Sequence, residues 1–214
     1  MNVKARIGAD IGGTFTDVVL EIAGVPHGVK VLTRHDAPEE GVLEGVREVL
    51  GMANCRAEDV GLVIHGTTLA TNALIERKGA CTALITTQGF RDTLEMGTES
   101  RFEQYDLFLK KPEPLIPRHL RFPVPERLDA QGEVLLPLDE QAVEALIPEL
   151  QRKGVESVAV GLLHSFVNPK HERRIHEILQ HRLPELRISL SSEVSPEMRE
   201  YERFSTTAAN AYIQ

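Results

Sequence analysis

The sequence of 214 residues contains no tryptophan and only two cysteines, Cys55 and Cys81. Two thiols are too few for a disulfide framework or for a zinc site made of cysteine thiolates. No apolar run approaches the ~18 residues that a membrane-spanning helix needs, and the first residues lack the pattern of a secretory signal peptide. We therefore expect a cytoplasmic protein with no membrane partner.

Positive charge is also scarce, because 24 lysine and arginine residues face 32 acidic residues, which gives a formal net charge of -8. A general nucleic-acid binder needs a basic surface, so we expect no nucleic-acid partner. The remaining composition, 42% hydrophobic and 26% charged, is ordinary for a globular protein that buries a core.

The first half of the sequence alternates short apolar runs with segments of helical length. The pattern predicts three successive strands, then a helix opened by Pro38, a strand, a second helix and a further strand. The order β-β-β-α-β-α-β indicates a mixed sheet covered by helices. The predicted segments are strands at 5–9, 17–22, 29–33, 60–65 and 81–86, and helices from 38 and over 69–78.

Residues 110–125 contain five prolines and little periodicity, which is typical of a linker. Beyond them a second β-α pattern begins, with a hairpin, a helix capped by Asp139, and further strands and helices. We therefore predict four parts. They are an N-terminal lobe at 1–98, a Pro-rich linker at 99–125, an α/β subdomain at 126–195 and a helix at 196–214.

The stretch ADIGGTFTDVVL, residues 9–20, places two glycines between two β-like runs. A dinucleotide fingerprint or a Walker A loop leads into a helix, so this context favours a strand-loop-strand phosphate hairpin. Gly12 and Gly13 permit positive φ and let backbone N–H groups approach an anion, and Thr14 and Thr16 add hydroxyl donors. The alternative is a tight hairpin whose polar side chains only satisfy the turn.

The two acids of this stretch are candidates for catalysis. Asp10, at the end of the first strand, is placed to hold a hydrated Mg²⁺, an ion that keeps several waters and prefers bridging phosphates. Asp17 has two open interpretations. It either assists the metal and orients the hairpin, or it caps the start of its strand.

A second polar segment, residues 65–72, follows a strand and opens a helix, where free N–H groups can receive an anion or a polar substrate. Thr67 and Thr68 can also cap the helix, and His65 is either a structural or a catalytic histidine. The predicted substrate-side residues in this segment are His65, Gly66, Thr67, Thr68 and Asn72.

Charged residues elsewhere support weaker hypotheses. Arg91 follows a predicted strand and either faces the cleft or forms a surface ion pair. His171, His176 and His181 are spaced five apart and rotate around a helix instead of stacking, which predicts solvated side chains and no metal site; the same holds for His164.

The motif DIGGTFTD resembles the first phosphate motif of the superfamily that contains actin, heat-shock chaperones, and acetate and sugar kinases. Its form here is similar to that of the hydantoinase A, 5-oxoprolinase and acetone carboxylase family. The resemblance covers essentially the whole chain, through further segments in the same order: HGTTLATNALIERKGA, TTQGFRD, ERLDAQGEVLLPLD, LLHSFVNPKHE and EVSPEMREYERFSTTAANAYIQ.

The resemblance implies an α/β, actin-like (ribonuclease H-like) ATPase half-domain with a mixed sheet, plus a second, smaller α/β subdomain. It implies ATP and Mg²⁺ as cofactors and ATP-dependent opening of a small cyclic amide, such as a hydantoin or 5-oxoproline, through phosphorylation of the amide oxygen. The alternatives are an acetone carboxylase subunit that phosphorylates a carbonyl oxygen, a sugar or acid kinase, and a non-catalytic fragment.

The last predicted helix ends at Gln214 without a glycine cap or a proline, and the sequence contains no second phosphate loop. From the resemblance we expect a C-terminal lobe that is missing here and a second subunit of the hydantoinase B type. We further expect an isolated chain without turnover, whose last helix leaves Phe204, Ala208, Ala211 and Tyr212 partly uncovered.

Overall fold

The computed structural model describes residues 4–34, 36–98, 103 and 105–214. The chain divides into two compact units, Met1–Glu76 and Arg77–Gln214. Within the described residues, no helix is long and apolar enough to cross a membrane.

The first unit contains one mixed sheet of four strands in the order β3-β2-β1-β4. The strands β1 to β3 form an antiparallel meander, and β4 pairs in parallel with β1. The elements are β1 (Ala5–Ile11), β2 (Phe15–Ile22), β3 (Val25–Leu32), α1 (Pro38–Met52), β4 (Val60–Thr67) and α2 (Leu69–Glu76). The predicted mixed sheet is confirmed.

Alternation along β1 and β2 decides which face of this sheet is covered. In β1 the buried residues are Ala5, Ile7, Ala9 and Ile11, and the residues between them are exposed. Ala5, Ile7 and Ala9 form a core with Val18 and Leu20 of β2 and with Val49 of α1. The even-numbered residues of β1, Asp10 among them, therefore lie on the face of the sheet opposite this core.

The second unit has a four-stranded sheet in the order β10-β9-β5-β6, with all neighbouring pairs parallel. Its strands are β5 (Thr82–Thr87), β6 (Arg121–Val124), β9 (Ser157–Gly161) and β10 (Arg187–Leu190), and β7 (Arg127–Leu128) forms a separate hairpin with β8 (Val134–Leu136). The helices are α3 (Thr93–Met96), α4 (Glu140–Arg152), α5 (Lys170–Arg182), α6 (Ser191–Val194) and α7 (Glu200–Tyr212). As predicted, the side chain of Asp139 caps α4 by accepting from the Ala142 N–H at 2.9 Å.

The division of the chain differs from the predicted parts. The predicted lobe extended to residue 98, but β5 pairs with β6 and β9 in the second sheet, so the second unit begins at Arg77 and is the larger one. The predicted linker at 99–125 includes β6. Pro123 fits in β6 because this strand lies at the edge of its sheet, where a missing N–H does not interrupt the ladder.

The prediction of an uncovered last helix is wrong. The apolar side chains of α7 are buried, with Phe204 and Ala211 at 0% exposure, Ala208 at 1% and Tyr212 at 8%. Two glycines provide the space: a Cβ on Gly161 would lie 2.5 Å from the Phe204 ring, and a Cβ on Gly79 would lie 2.3 Å from the Tyr212 ring. The helix therefore packs closely within the second unit.

A buried polar network also ties α5, α6 and α7 together. The carboxylate of Glu172, which is fully buried, accepts from the Leu162 N–H at 3.0 Å, the Ser191 hydroxyl at 2.6 Å and the Ser192 N–H at 2.9 Å. Arg203 donates to the same Ser191 hydroxyl at 3.2 Å. Burial lowers the pKa of Arg203, and the nearby carboxylates, Glu172 first, oppose that shift.

Candidate functional site

The turn between β1 and β2 is a tight hairpin, as predicted. The Gly12 N–H donates to the Phe15 carbonyl at 3.0 Å and closes the loop. The reason for its glycines differs from the predicted one, since neither has a positive φ. At Gly12 the requirement is space, because a Cβ there would lie 2.8 Å from the Phe15 carbonyl oxygen. A Cβ on Gly13 would lie 2.8 Å from the Asn72 amide nitrogen, so the Asn72 side chain would have to move.

The tip of the hairpin has free donors. The backbone N–H groups of Gly13 and Thr14 have no acceptor among the described residues, and the Thr14 side chain is exposed. The Thr14 carbonyl is occupied, because it accepts from the Thr33 N–H at 3.0 Å and fixes the loop against the end of β3. Two adjacent unpaired N–H groups on a fixed loop can receive an anion such as a phosphate.

Thr16 does not belong to this group of donors, contrary to its predicted role in cofactor binding. Its side chain is fully buried on the core face of β2, and its hydroxyl lies 2.9 Å from that of Thr33. The Thr33 hydroxyl in turn donates to the Gly12 carbonyl at 2.9 Å. Thr16 therefore stabilises the hairpin from the core face of the sheet, which is opposite the face that carries Asp10.

Replacing Thr16 with valine tests this assignment. We expect the variant to lose about 1 kcal/mol of stability in the hairpin, because one buried hydrogen bond is removed, while affinity for Mg-ATP in a nucleotide-binding form of the protein stays unchanged. Hydrogen exchange of the β1 and β2 amides measures the first effect and calorimetric titration the second. The matched control, Thr14→Val, should show the reverse pattern, and a large loss of affinity in Thr16→Val would contradict the structural role.

Asp10 and Asp17 face each other across β1 and β2, on the exposed face of the sheet. Asp17 is neutralised by Lys30, whose ammonium lies 2.5 Å from one carboxylate oxygen and 2.6 Å from the other. Asp10 has no hydrogen-bond or ion-pair partner among the described residues. Like charges directly opposite each other are unfavourable in a sheet. Lys30 offsets the charge of Asp17, and the charge of Asp10 remains uncompensated within the described part of the chain.

This carboxylate fits the predicted Mg²⁺ site. Asp10 is paired in register with Gly66 of β4. Gly66 has no side chain beside the Asp10 carboxylate, and a Cβ built on it would lie 3.9 Å from Asp10 Oδ1. Mg²⁺ keeps most of its waters and needs only one or two carboxylates plus phosphate oxygens. The described residues contain no cluster of three or more His, Cys, Asp or Glu ligands, so Asp10 would hold the ion mainly through water.

The second predicted segment contacts the hairpin directly. Thr68 bonds the end of β1, where its N–H donates to the Ile11 carbonyl at 3.1 Å and its hydroxyl to the same oxygen at 3.4 Å. Thr67 accepts from the Leu69 N–H at 3.2 Å, and the Asn72 amide donates to the Thr68 hydroxyl at 3.3 Å. Asn72 thus lies next to Gly13. The Thr67 hydroxyl caps the start of α2, and the Thr68 hydroxyl binds the end of β1.

The predicted substrate residue His65 is not brought to this face of the sheet. His65 is paired in register with the core-facing Ala9, so its exposed side chain lies on the side of the sheet opposite Asp10. Arg91 belongs to the second unit, where its guanidinium donates to the Arg118 carbonyl at 2.9 Å. Its predicted surface ion pair is absent among the described residues.

One histidine that the spacing pattern predicts as solvated is buried. The His171 side chain is 6% exposed, and its Nδ1 lies 2.8 Å from an oxygen of Glu126, a fully buried carboxylate. Its partner is 45 residues away in sequence, so helical spacing carried no signal for this pair. His171 is the residue that sequence reasoning missed.

The comparisons with known proteins agree with this architecture. The model of the hydantoinase/oxoprolinase N-terminal region matches residues 6–183. The caprolactamase subunit alpha of Pseudomonas jessenii is 37% identical over 97% of this chain, and a crystal structure of the ATP-dependent caprolactamase from that organism superposes with a TM-score of 0.82. The 5-oxoprolinase 1 of Arabidopsis thaliana is 34% identical over 98% of the chain.

A nucleotide-free structure of acetone carboxylase gives a TM-score of 0.88, with 25% identity over 98% of the chain. The predicted fold class, an actin-like ATPase type with a mixed α/β architecture, is confirmed by these two structures. The chain spans 31% of the length of the caprolactamase subunit and 19% of the length of the 5-oxoprolinase. It therefore belongs to the hydantoinase/oxoprolinase family and corresponds to the N-terminal region of that family.

Proposed function

We propose that this chain is the N-terminal part of an enzyme that uses ATP to open a small cyclic amide by phosphorylating the amide oxygen. One observation carries the proposal: Asp10, whose carboxylate has no partner among the described residues, lies on a hairpin whose tip presents two N–H groups that have no acceptor among them either. A carboxylate can hold the hydrated Mg²⁺ of a magnesium-bound polyphosphate, and N–H groups can donate to its phosphate oxygens. The similarity to a caprolactamase subunit and to a 5-oxoprolinase supports a cyclic amide as the substrate class.

Each residue of the hairpin then has a defined task. The N–H groups of Gly13 and Thr14 receive phosphate oxygens, and the Thr14 hydroxyl adds a donor. Asp10 orients the hydrated ion, which when bound neutralises charge on the transferring phosphoryl group. Asp17 keeps Lys30 in place beside the hairpin. Asn72, next to Gly13, lies where a substrate amide can reach it.

The chemistry needs such positioning because an unstrained amide is a poor electrophile. Transfer of the γ-phosphoryl group to the amide oxygen makes the amide carbon open to attack by water, so the protein contributes mainly orientation and electrostatic stabilisation. The same phosphoryl transfer to a ketone oxygen would precede carboxylation. The similarity to acetone carboxylase makes this the second candidate function.

The proposed enzyme needs more protein than this chain. The caprolactamase relative is named as a subunit alpha, and the chain covers under a third of it. We infer that a C-terminal lobe completes the nucleotide site and that a second subunit, of the hydantoinase B type, takes part in the reaction. The chain alone then binds Mg-ATP weakly and does not turn it over, since its hairpin contacts only the phosphates.

A substrate panel tests the proposal. In the complete enzyme we expect phosphate release from ATP to rise with a hydantoin, 5-oxoproline or caprolactam, because each offers an amide oxygen to the phosphoryl group. Steady-state phosphate release with each compound, and with acetone and a hexose for comparison, measures the effect. Stimulation by acetone alone would favour the carboxylase alternative, and stimulation by the hexose alone would favour a sugar kinase; either result overturns the ring-opening assignment.

A further inference from the structure

The second unit contains a cleft of about 680 Å³ beside the start of α5. Its lining includes the apolar residues Val134, Pro137 and Leu138. It also includes Glu140 and charged residues of the first turns of α5. A concave site with an apolar wall and a few convergent polar groups has the form of a small-molecule site.

One polar residue of the cleft, His171, has no part in the proposed nucleotide chemistry. Its ring is fixed on one side, because Nδ1 contacts Glu126 at 2.8 Å and the other oxygen of Glu126 accepts from the Thr87 hydroxyl. Its Nε2 has no hydrogen-bond partner among the described residues, although 94% of the side chain is covered by protein and the residue lines the cleft. The ring is therefore held with one nitrogen left for a ligand.

The partner of His171 is a buried carboxylate. Glu126 is 1% exposed, and among the described residues its carboxylate hydrogen-bonds only with the Thr87 hydroxyl and His171. A buried carboxylate is costly unless a positive group neutralises it. When one proton lies between Nδ1 and the Glu126 carboxylate and a second lies on Nε2, the pair carries no net charge and Nε2 is an N–H donor.

The charged residues around the cleft leave a surplus of positive charge. Arg174 is fully engaged, at 2.7 Å from Glu140 and 2.8 Å from Glu177. Lys170 and Arg173 have no acidic partner in the described part of the chain. Both lie in the first turn of α5, where the positive end of the helix dipole adds to their charge.

We propose that this cleft binds a small organic acid. The carboxylate accepts from His171 Nε2 and is attracted by Lys170 and Arg173, and the hydrocarbon part packs against Val134 and Leu138. An acid with an apolar body fits better than a bare phosphate ion, because the apolar lining residues offer nothing to a phosphate.

Titration of the full chain with hexanoate tests the proposal, with hexanamide as the neutral analogue and inorganic phosphate as the bare anion. We expect saturable hexanoate binding that shifts the imidazole resonances of His171, followed by NMR. Binding of hexanamide should be at least about tenfold weaker, since it loses charge-assisted hydrogen bonds. Absence of saturable hexanoate binding, or phosphate binding of equal strength, would overturn the proposal.

Variants locate the site. The double variant Lys170→Glu, Arg173→Glu reverses the surface charge and suits the helix dipole, so it should fold normally and bind hexanoate at least about tenfold more weakly. His171→Gln should lose binding as well, while His181→Gln, at the exposed far end of α5, should bind as the unaltered chain does. Unchanged affinity in the folded double variant would show that the acid binds elsewhere.

Discussion

Replacing Asp10 with asparagine is expected to lower ATP turnover of the complete enzyme by at least about a hundredfold. The amide keeps the size of the side chain and removes the one carboxylate on the exposed face of β1 that lacks a partner among the described residues. Phosphate release as a function of Mg²⁺ concentration measures the loss. The fold should remain intact, because the substitution also relieves the repulsion between Asp10 and Asp17.

The same substitution at Asp17 is the matched control. Asp17 lies opposite Asp10 on the same face, but its charge is already paired with Lys30. Asp17→Asn should therefore change turnover far less than Asp10→Asn, and its effect should not depend on Mg²⁺ concentration. Equal losses in the two variants would make the acids a joint site, and full activity of Asp10→Asn with unchanged metal dependence would refute the assigned role of Asp10.

The hairpin shows how far local sequence reasoning reaches. Alternation of apolar residues predicted β1 and β2, and the position of Gly12 and Gly13 between two strands predicted the turn. The reason for each glycine was not accessible, because it depends on the approach of the Phe15 carbonyl and of Asn72. The role of Thr16 was missed for the same kind of reason: its partner, Thr33, lies 17 residues away.

The division into units was harder to predict because it depends on strand pairing. The strand β5 follows α2 along the chain, and nothing in its own residues indicates that it pairs with β6 and β9 in another sheet. The density of prolines predicts a linker, whereas Pro123 lies in the edge strand β6. Local patterns predict the type of an element, and long-range contacts decide its neighbours.

Long-range contacts also bury α7, although its apolar side was expected to be uncovered. Its packing depends on the glycines at 79 and 161, which lie far from the helix in sequence and make room for two of its rings. It also depends on Arg203, whose guanidinium donates to the Leu162 carbonyl at 3.0 Å and reaches the Ser191 hydroxyl. That hydroxyl contacts Glu172, so the carboxylate is the centre of the arrangement.

Replacing Glu172 with alanine is expected to destabilise the second unit by about 3–5 kcal/mol. The change removes a buried carboxylate that accepts from two backbone N–H groups and a hydroxyl, and whose negative charge favours the charged form of the buried Arg203. All three tyrosines of the sequence, at 105, 201 and 212, belong to the second unit, and the sequence contains no tryptophan. Tyrosine fluorescence during urea denaturation therefore reports on this unit alone.

The matched control is Glu177→Ala on the same helix. Among the described residues its carboxylate, with 62% of the side chain exposed, forms only a surface ion pair with Arg174, and the loss of such a pair costs between about 0 and 1 kcal/mol. The free energy of unfolding should thus separate two glutamates that differ by five positions on α5. Losses of similar size in the two variants would show that the network around Glu172 does not hold α5, α6 and α7 together.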